Sequence, residues 1–282
     1  MQVPVLDFPD EGMLDSSPQE MKYTGDSGIM NLIWKRSGRS SMRAQIQKGL
    51  MTMKYKVILF DADDTLFDFK KSERHAFKDT MVDFGFEYDE KIHLNCYHEI
   101  NETIWKEFER GEITQQKLKV ERFLRLKDKL QAEFDAEEFA RKYMHHLSHA
   151  SFIYPESLEL MKKLHGRLKL AIITNGLTDV QTRRIRNAPL GEFFDEIVIS
   201  EEVRISKPDP EIFSYTLEKL KHHDHESVLM VGDSLHSDIK GGEDYGIDTC
   251  WYNPASKENS TEITPTYEIR NLMEILELIQ AN

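Results

Sequence analysis

The chain has 282 residues, of which 39% are hydrophobic and 31% charged, and its basic and acidic side chains leave a net charge of −13. This composition is typical of a globular protein and excludes fibrous and disordered chains, while the acidic balance argues against a general nucleic-acid binder, because phosphate backbones are bound by basic surfaces. Apolar runs stay short of the roughly 20 residues that span a membrane, and two cysteines cannot build a disulfide framework, which predicts a cytoplasmic protein.

Residues 1–52 differ from the rest of the chain. Six acidic and six basic side chains cancel there, so the net charge lies entirely beyond residue 52, and the segment holds six of the twelve methionines without sustained periodicity. Met51 and Met53 stand just before the first strand-like run. We therefore expect residues 1–52 to be a disordered extension or a mis-assigned start, and the working protein to have about 230 residues.

Five short apolar runs rich in β-forming residues predict buried strands: 57–60, 170–173, 197–199, 228–231 and 247–251. Helix-like segments lie between most of these runs: 156–164, 180–186, 210–220 and 238–245. Strands that alternate with helices predict βαβ units, and hence an α/β fold with a parallel sheet covered on both faces.

One interval, residues 68–150, contains no strand-like run and shows apolar residues at helical spacing, which predicts a helical insertion after the first strand. Its aromatic residues Trp105, Phe108 and Phe123 are read as core of this insertion rather than as groups that stack on a base. It also carries a basic stretch, read as a solvated helix face, with attraction of an anionic substrate as the alternative: Lys117, Lys119, Arg122, Arg125, Lys127 and Lys129.

Polar side chains follow four of the predicted strands. Ligands of an open parallel sheet bind outside the carboxyl ends of its strands, so these side chains are expected to meet at one edge. They are four acids, a hydroxyl, an amide and a lysine: Asp61, Asp63, Asp233, Asp238, Thr174, Asn175 and Lys207.

Crowded carboxylates are unfavourable unless a cation neutralises them, and hard oxygen ligands select Mg²⁺. A carboxylate can also act as the nucleophile and form an aspartyl-phosphate, while a second acid protonates the leaving group and later activates water. A lysine, a hydroxyl and backbone N–H groups suffice to position a phosphoryl group. The sequence therefore predicts a magnesium-assisted reaction at phosphorus.

The ordered runs VILFDADDTL from Val57, TNG from Thr174, KPDP from Lys207 and VGDS from Val231, with Asp238, resemble the four motifs of the haloacid dehalogenase superfamily. The resemblance covers roughly residues 53–279. It implies a Rossmann-like core, residues 53–67 and 151–282, with an α-helical cap, residues 68–150, inserted after the first strand.

The resemblance also implies roles. Asp61 would be the nucleophile and a magnesium ligand, and Asp63 the general acid/base, with its backbone carbonyl on the metal. Thr174 and the backbone N–H of Asn175 would bind the phosphoryl oxygens, and Lys207 would balance charge between nucleophile and phosphate.

In the last motif, Asp233 would ligate magnesium, with Asp238 in the outer shell or positioning the lysine. The acid at Asp63 favours phosphoryl transfer over dehalogenation, because a halide leaves unprotonated. Asp64 stands where many members have Gly, a departure shared by phosphatases with an Asp-Asp-Thr motif.

A finer resemblance links the first two motifs and the segment Gly246 to Pro254 with bacterial pyrimidine 5′-nucleotidases, which act on UMP, dUMP, dTMP and non-standard analogues. The expected partner is therefore a small phosphomonoester, with no nucleic-acid polymer and no membrane. The alternatives are a phosphatase for another metabolite, such as phosphoglycolate or a sugar phosphate, a mutase, and a non-catalytic binding module of the same fold.

Overall fold

The computed structural model describes residues 53–280, so the expectation for residues 1–52 lies outside the described part. Six strands form one parallel sheet in the order β3-β2-β1-β4-β5-β6. They are β1 (Val57–Phe60), β2 (Lys169–Thr174), β3 (Glu196–Ile199), β4 (Val228–Gly232), β5 (Asp248–Tyr252) and β6 (Tyr267–Ile269).

The central strands are apolar along their whole length because helices cover both faces of the sheet. The α/β prediction is thus confirmed. One helix, α5 (Pro155–Leu164), directly precedes β2. The helices after β2 are α6 (Thr178–Arg186), α7 (Ser200–Val203), α8 (Pro210–Lys219), α9 (Lys240–Tyr245) and α10 (Ile275–Leu278), with a π-helical turn at Leu235–Ile239 before α9.

Four helices, here called the helical insertion, lie between β1 and α5. They are α1 (Phe69–Asp83), α2 (Asn95–Glu109), α3 (Gln115–Leu130) and α4 (Ala136–His149), with a π-helical turn at Glu90–Leu94 before α2. Asp68, Thr114 and Asp135 cap α1, α3 and α4 by accepting backbone N–H hydrogen bonds.

The helical insertion has its own apolar core, built on stacked aromatic rings. Tyr97 stacks on Phe77 and on Phe123, with ring centroids 4.7 and 5.7 Å apart. Leu177 and Val180, at the start of α6, pack into the same cluster. The helical insertion is therefore in apolar contact with the segment that follows β2.

Two chain segments join the helical insertion to the sheet, and they pair with each other. The Asp68 N–H donates to the Phe152 carbonyl at 3.0 Å, and the Tyr154 N–H donates to the Leu66 carbonyl at 3.2 Å.

No helix within residues 53–280 combines the length and the apolar character that crossing a membrane requires.

Candidate active site

The site begins where β1 ends, at the centre of the sheet. Phe60 pairs with Ile172 of β2 on one side and with Val231 of β4 on the other. The Asp61 N–H continues the ladder by donating to the Val231 carbonyl at 2.9 Å. Parallel pairing therefore brings the residues after β1, β2 and β4 to one edge, as the sequence predicts.

Lys207 is buried at this edge and forms ion pairs with two carboxylates. Its Nζ donates to Asp61 Oδ1 at 2.6 Å and to Asp238 Oδ1 at 2.7 Å, and only 2% of the residue is exposed. Burial alone would lower the pKa of Lys207, but the carboxylates of Asp238 and Asp61 outweigh it and raise the pKa. The lysine is therefore held as a buried cation.

The side chain of Asn175 fixes the backbone of Lys207. Its Oδ1 accepts from the Lys207 N–H and its Nδ2 donates to the Lys207 carbonyl, both at 2.8 Å. This two-sided bond uses the amide of Asn175 for positioning the lysine, a role that the sequence did not indicate.

Asp238 reaches the site from the π-helical turn after β4. Besides its bond to Lys207, its Oδ2 accepts from the Ser234 N–H at 3.0 Å. A Cβ on Gly232 would overlap this carboxylate. Glycine at the end of β4 is therefore what allows Asp238 to approach the sheet edge.

Three carboxylates at this edge form a cluster that fits a divalent cation. One oxygen each of Asp61, Asp233 and Asp238 lies within 4.8 Å of the others. Burial raises the pKa of Asp61 to about 7, although Lys207 opposes the shift, and burial with neighbouring carboxylates raises the pKa of Asp233 well above its usual range. Among the described residues, Lys207 is the one cation that pairs with the cluster. When all three carboxylates are ionised, the cluster therefore keeps two uncompensated negative charges and offers hard oxygen donors, as Mg²⁺ requires.

Asp63 points to a different set of partners. Its carboxylate accepts from Arg184 Nη1 at 2.7 Å and from Gln181 Nε2. Gln181 also donates to the Thr174 hydroxyl at 3.2 Å, and that hydroxyl accepts from the Gly176 N–H. Helix α6 thus holds the side chain of Asp63 beside the end of β2.

Asp64 adopts a left-handed backbone with φ of 58°. This conformation is easiest for glycine and is tolerated by Asp and Asn, which accounts for the departure noted at this position. Burial raises the pKa of the Asp64 carboxyl to about 6.

The acids converge on a cavity of about 190 Å³. All predicted site residues except Lys207 line it, and Lys207 lies behind Asp61 and Asp238. The apolar part of the wall comes from the helical insertion and the start of α6: Phe69, Trp105, Leu147, Leu177 and Val180. Arg122 of the helical insertion lines the cavity as well.

Two predictions for the helical insertion are wrong in part, one for its aromatic residues and one for its basic stretch. Trp105 lines the cavity instead of belonging to the aromatic core, whereas Phe123 is fully buried in that core as expected. Within the basic stretch, Arg122 is 2% exposed and therefore does not belong to a solvated face. The sequence pattern did not indicate Arg184, and it placed Arg122 only within the basic stretch.

A family model for haloacid dehalogenase-like hydrolases matches residues 58–252. The HAD-hydrolase YfnB of Bacillus subtilis is 35% identical over 80% of this chain and 96% of its own length. Its magnesium-bound crystal structure superposes with a TM-score of 0.76, covering 80% of this chain and 99% of that one.

Two relatives carry a named activity. The pyrimidine 5′-nucleotidase PynA of Streptococcus pneumoniae is 34% identical over 82% of this chain and 97% of its own length. The pyrimidine 5′-nucleotidase YjjG of Escherichia coli is 34% identical over 80% of this chain and 99% of its own. With the family match and the parallel sheet that carries its acids at one edge, the chain belongs to the haloacid dehalogenase-like hydrolases.

Proposed function

We propose that this hydrolase is a Mg²⁺-dependent phosphomonoesterase that works through an aspartyl-phosphate on Asp61 and acts on pyrimidine nucleoside 5′-monophosphates. The observation that carries the proposal is the cluster of Asp61, Asp233 and Asp238 bonded to the buried Lys207. Such a cluster can hold a divalent cation and a phosphoryl group together, because the cation and the lysine offset the charge of the carboxylates.

Asp61 and Asp233 would hold Mg²⁺ with the backbone carbonyl of Asp63, and Asp238 would stay on Lys207 or complete the outer shell. When bound, the ion supplies charge neutralisation for the phosphoryl oxygens. Magnesium in the YfnB crystal structure supports this assignment at the level of the family.

The covalent chemistry belongs to two carboxyl groups. A carboxylate oxygen of Asp61 attacks phosphorus, the bond from phosphorus to the ester oxygen breaks, and Asp63 gives its proton to the leaving oxygen. Asp63 then takes a proton from water, the water oxygen attacks phosphorus, and the bond to Asp61 breaks to release phosphate. Lys207 and the hydroxyl of Thr174, with the N–H of Asn175, stabilise the charge on the phosphoryl oxygens.

The substrate class is supported by the relatives and by the cavity. PynA and YjjG are pyrimidine 5′-nucleotidases, and each is aligned over nearly its whole length. The cavity of about 190 Å³ is smaller than the roughly 300–1,000 Å³ of sites for drug-sized ligands. A small ligand with one phosphate and one flat ring suits its carboxylate edge and its aromatic wall.

We also propose boundaries for two domains. We assign residues 53–67 and 151–282 to the catalytic core and residues 68–150 to a cap that selects the substrate and excludes water. The cytoplasm is the proposed location.

The mechanism can be tested with p-nitrophenyl phosphate, whose leaving group needs no proton. We expect hydrolysis with Mg²⁺ and its loss with EDTA. The Asp63→Asn variant should accumulate a protein form heavier by one phosphoryl group, because the step that activates water is impaired, and Asp61→Asn should neither turn over nor gain that mass. Full activity of Asp61→Asn would refute the mechanism.

The substrate class needs a second assay with the wild-type protein. UMP, dUMP and dTMP are compared with AMP, phosphoglycolate and hexose phosphates by kcat/KM. We expect the pyrimidine nucleotides to be preferred, and equal or better turnover of the non-nucleotides would refute the nucleotidase assignment and favour a phosphatase for another metabolite.

A further inference from the structure

Arg122 is a buried arginine with two unused donor groups. It lies in α3 with 2% of its surface exposed, and its Nη1 donates to the Tyr97 hydroxyl and to Asn101 Oδ1, both at 3.3 Å. Its Nε and Nη2 are buried and have no hydrogen-bond partner among the described residues. A guanidinium normally satisfies its donors when it leaves water, so this arrangement is costly without a ligand.

The nearby acid does not neutralise Arg122. Glu73 is 4% exposed, accepts from Asn101 Nδ2 at 2.9 Å and pairs with His98 Nε2 at 2.8 Å. Asn101 therefore turns its carbonyl oxygen towards Arg122 while its amide group is held by Glu73. Within residues 53–280, no carboxylate forms an ion pair with Arg122.

Two aromatic rings lie close to the Arg122 guanidinium. Its Cζ lies 5.0 Å from the ring centroids of both Phe123 and Tyr143. Aromatic faces hold a guanidinium in place by cation–π attraction but accept no conventional hydrogen bonds. The two rings therefore leave the N–H groups of Nε and Nη2 without an acceptor.

Arg122 also lines the cavity that contains the carboxylate cluster. It belongs to the wall formed by the helical insertion, together with Trp105 and Phe69, whereas Asp61 and Asp233 belong to the edge of the sheet. A ligand with its phosphate at the sheet edge can thus present another part of its structure to Arg122.

We infer that Arg122 is a specificity-determining residue that donates hydrogen bonds to a ring carbonyl oxygen of the pyrimidine base. This inference rests on the proposed nucleotidase function and deepens it. A carbonyl oxygen with its lone pairs in the plane of a flat ring matches the free edge of the guanidinium, and Trp105 supplies an aromatic wall for the ring. A sugar phosphate offers neither feature.

The test compares UMP with ribose 5-phosphate, which carries the same phosphate and sugar but no base. In Arg122→Met, we expect the ratio of kcat/KM for UMP to that for ribose 5-phosphate to fall about 10- to 100-fold, the range for a hydrogen bond to a charged donor. Arg125→Met is the matched control on the same helix, because Arg125 pairs with Glu107 and Glu121 and does not line the cavity. Its ratio should stay at the wild-type value.

A purely structural role for Arg122 would lower both kcat/KM values in parallel and would overturn the inference. If circular dichroism shows that Arg122→Met does not fold, the same ratio of kcat/KM values is measured for Arg122→Lys. This variant keeps the positive charge and loses the planar guanidinium, so the ratio should again fall. A wild-type protein that does not prefer UMP over ribose 5-phosphate would instead refute the proposed nucleotidase function, so the two failures are distinguishable.

Discussion

Arg184 contacts Asp63, and its replacement tests whether the reaction depends on the orientation of the Asp63 side chain. It is fully buried in α6, and its Nη1 donates to Asp63 at 2.7 Å. Its Nε and Nη2 bind the Ala150 carbonyl at 3.3 Å and the Ser72 hydroxyl at 3.4 Å. Arg184 thus links the acid at the sheet edge to both ends of the helical insertion.

The cost of Arg184→Met follows from these contacts. Loss of one partner of a fully buried ion pair costs about 3–5 kcal/mol, but the Asp63 side chain is 26% exposed and can regain water, so we expect about 2–3 kcal/mol. For a domain of this size that corresponds to a fall in Tm of about 4–12 °C, measured by thermal unfolding.

Activity should depend on the leaving group. Without Arg184, the Asp63 side chain loses its fixed orientation towards the ester oxygen. We therefore expect kcat/KM for UMP to fall about 10- to 100-fold, a partial loss of the roughly 100- to 10,000-fold that general acid catalysis contributes. The value for p-nitrophenyl phosphate should fall less, because its leaving group needs no proton. Arg183→Met, a change of the exposed neighbouring arginine, serves as the control. Equal losses with both substrates would refute a positioning role.

Three further outcomes are expected. Gly232→Ala should lower kcat at least about 10-fold with a native circular dichroism spectrum, because the new methyl group displaces the carboxylate of Asp238; unchanged kcat would contradict this geometry. Saturation with Mg²⁺ at about 100 times its Kd should stabilise the wild type by about 2.7 kcal/mol in chemical denaturation, and Asp233→Asn much less; equal gains would remove Asp233 from the metal site. The hydrogen bond with Glu73 raises the pKa of His98. The contribution of the His98–Glu73 pair to the free energy of unfolding is therefore fully present below the unfolded pKa of histidine, about 6.5, and it is lost as the pH rises through the folded pKa. The stability difference between wild type and His98→Gln should accordingly be larger at pH 5.5 than at pH 9, and a constant difference would show that the pair is not coupled to protonation.

The sheet could be predicted from the sequence because the composition of each short run agrees with its place in a sheet that is buried on both faces. Apolar runs of three to five residues, four of them followed by polar side chains, can satisfy their backbone groups and bury both faces only in a parallel sheet. The exception is β6, which the sequence pattern did not predict. It has three residues, includes the exposed Glu268, and adds to the sheet only through its pairing with β5. Such a strand is specified by its neighbour rather than by its own pattern.

The buried arginines were not predictable for a related reason. Arg183, Arg184 and Arg186 all lie in one helix, and only the packing of α6 against Asp63 and the helical insertion decides which of them is buried. The basic stretch of α3 has the same ambiguity. Lys119 pairs with Glu201, which lies outside the helical insertion, whereas Arg122 is buried beside the aromatic core. Spacing along a helix fixes its face, but partners from distant segments decide the role of each charge.

These partners also explain how a strongly acidic protein can hold an anionic substrate. Three cationic side chains are buried in the described part of the chain: Lys207, Arg184 and Arg122. Lys207 is matched by two carboxylates and Arg184 by Asp63, so neither offers free charge to a phosphate dianion before a divalent cation binds. Arg122 keeps unused donors but lies on the wall of the helical insertion. In the proposed mechanism, the attraction for phosphate therefore comes from the cation at the sheet edge, and the inferred role of Arg122 is to discriminate among the groups attached to that phosphate.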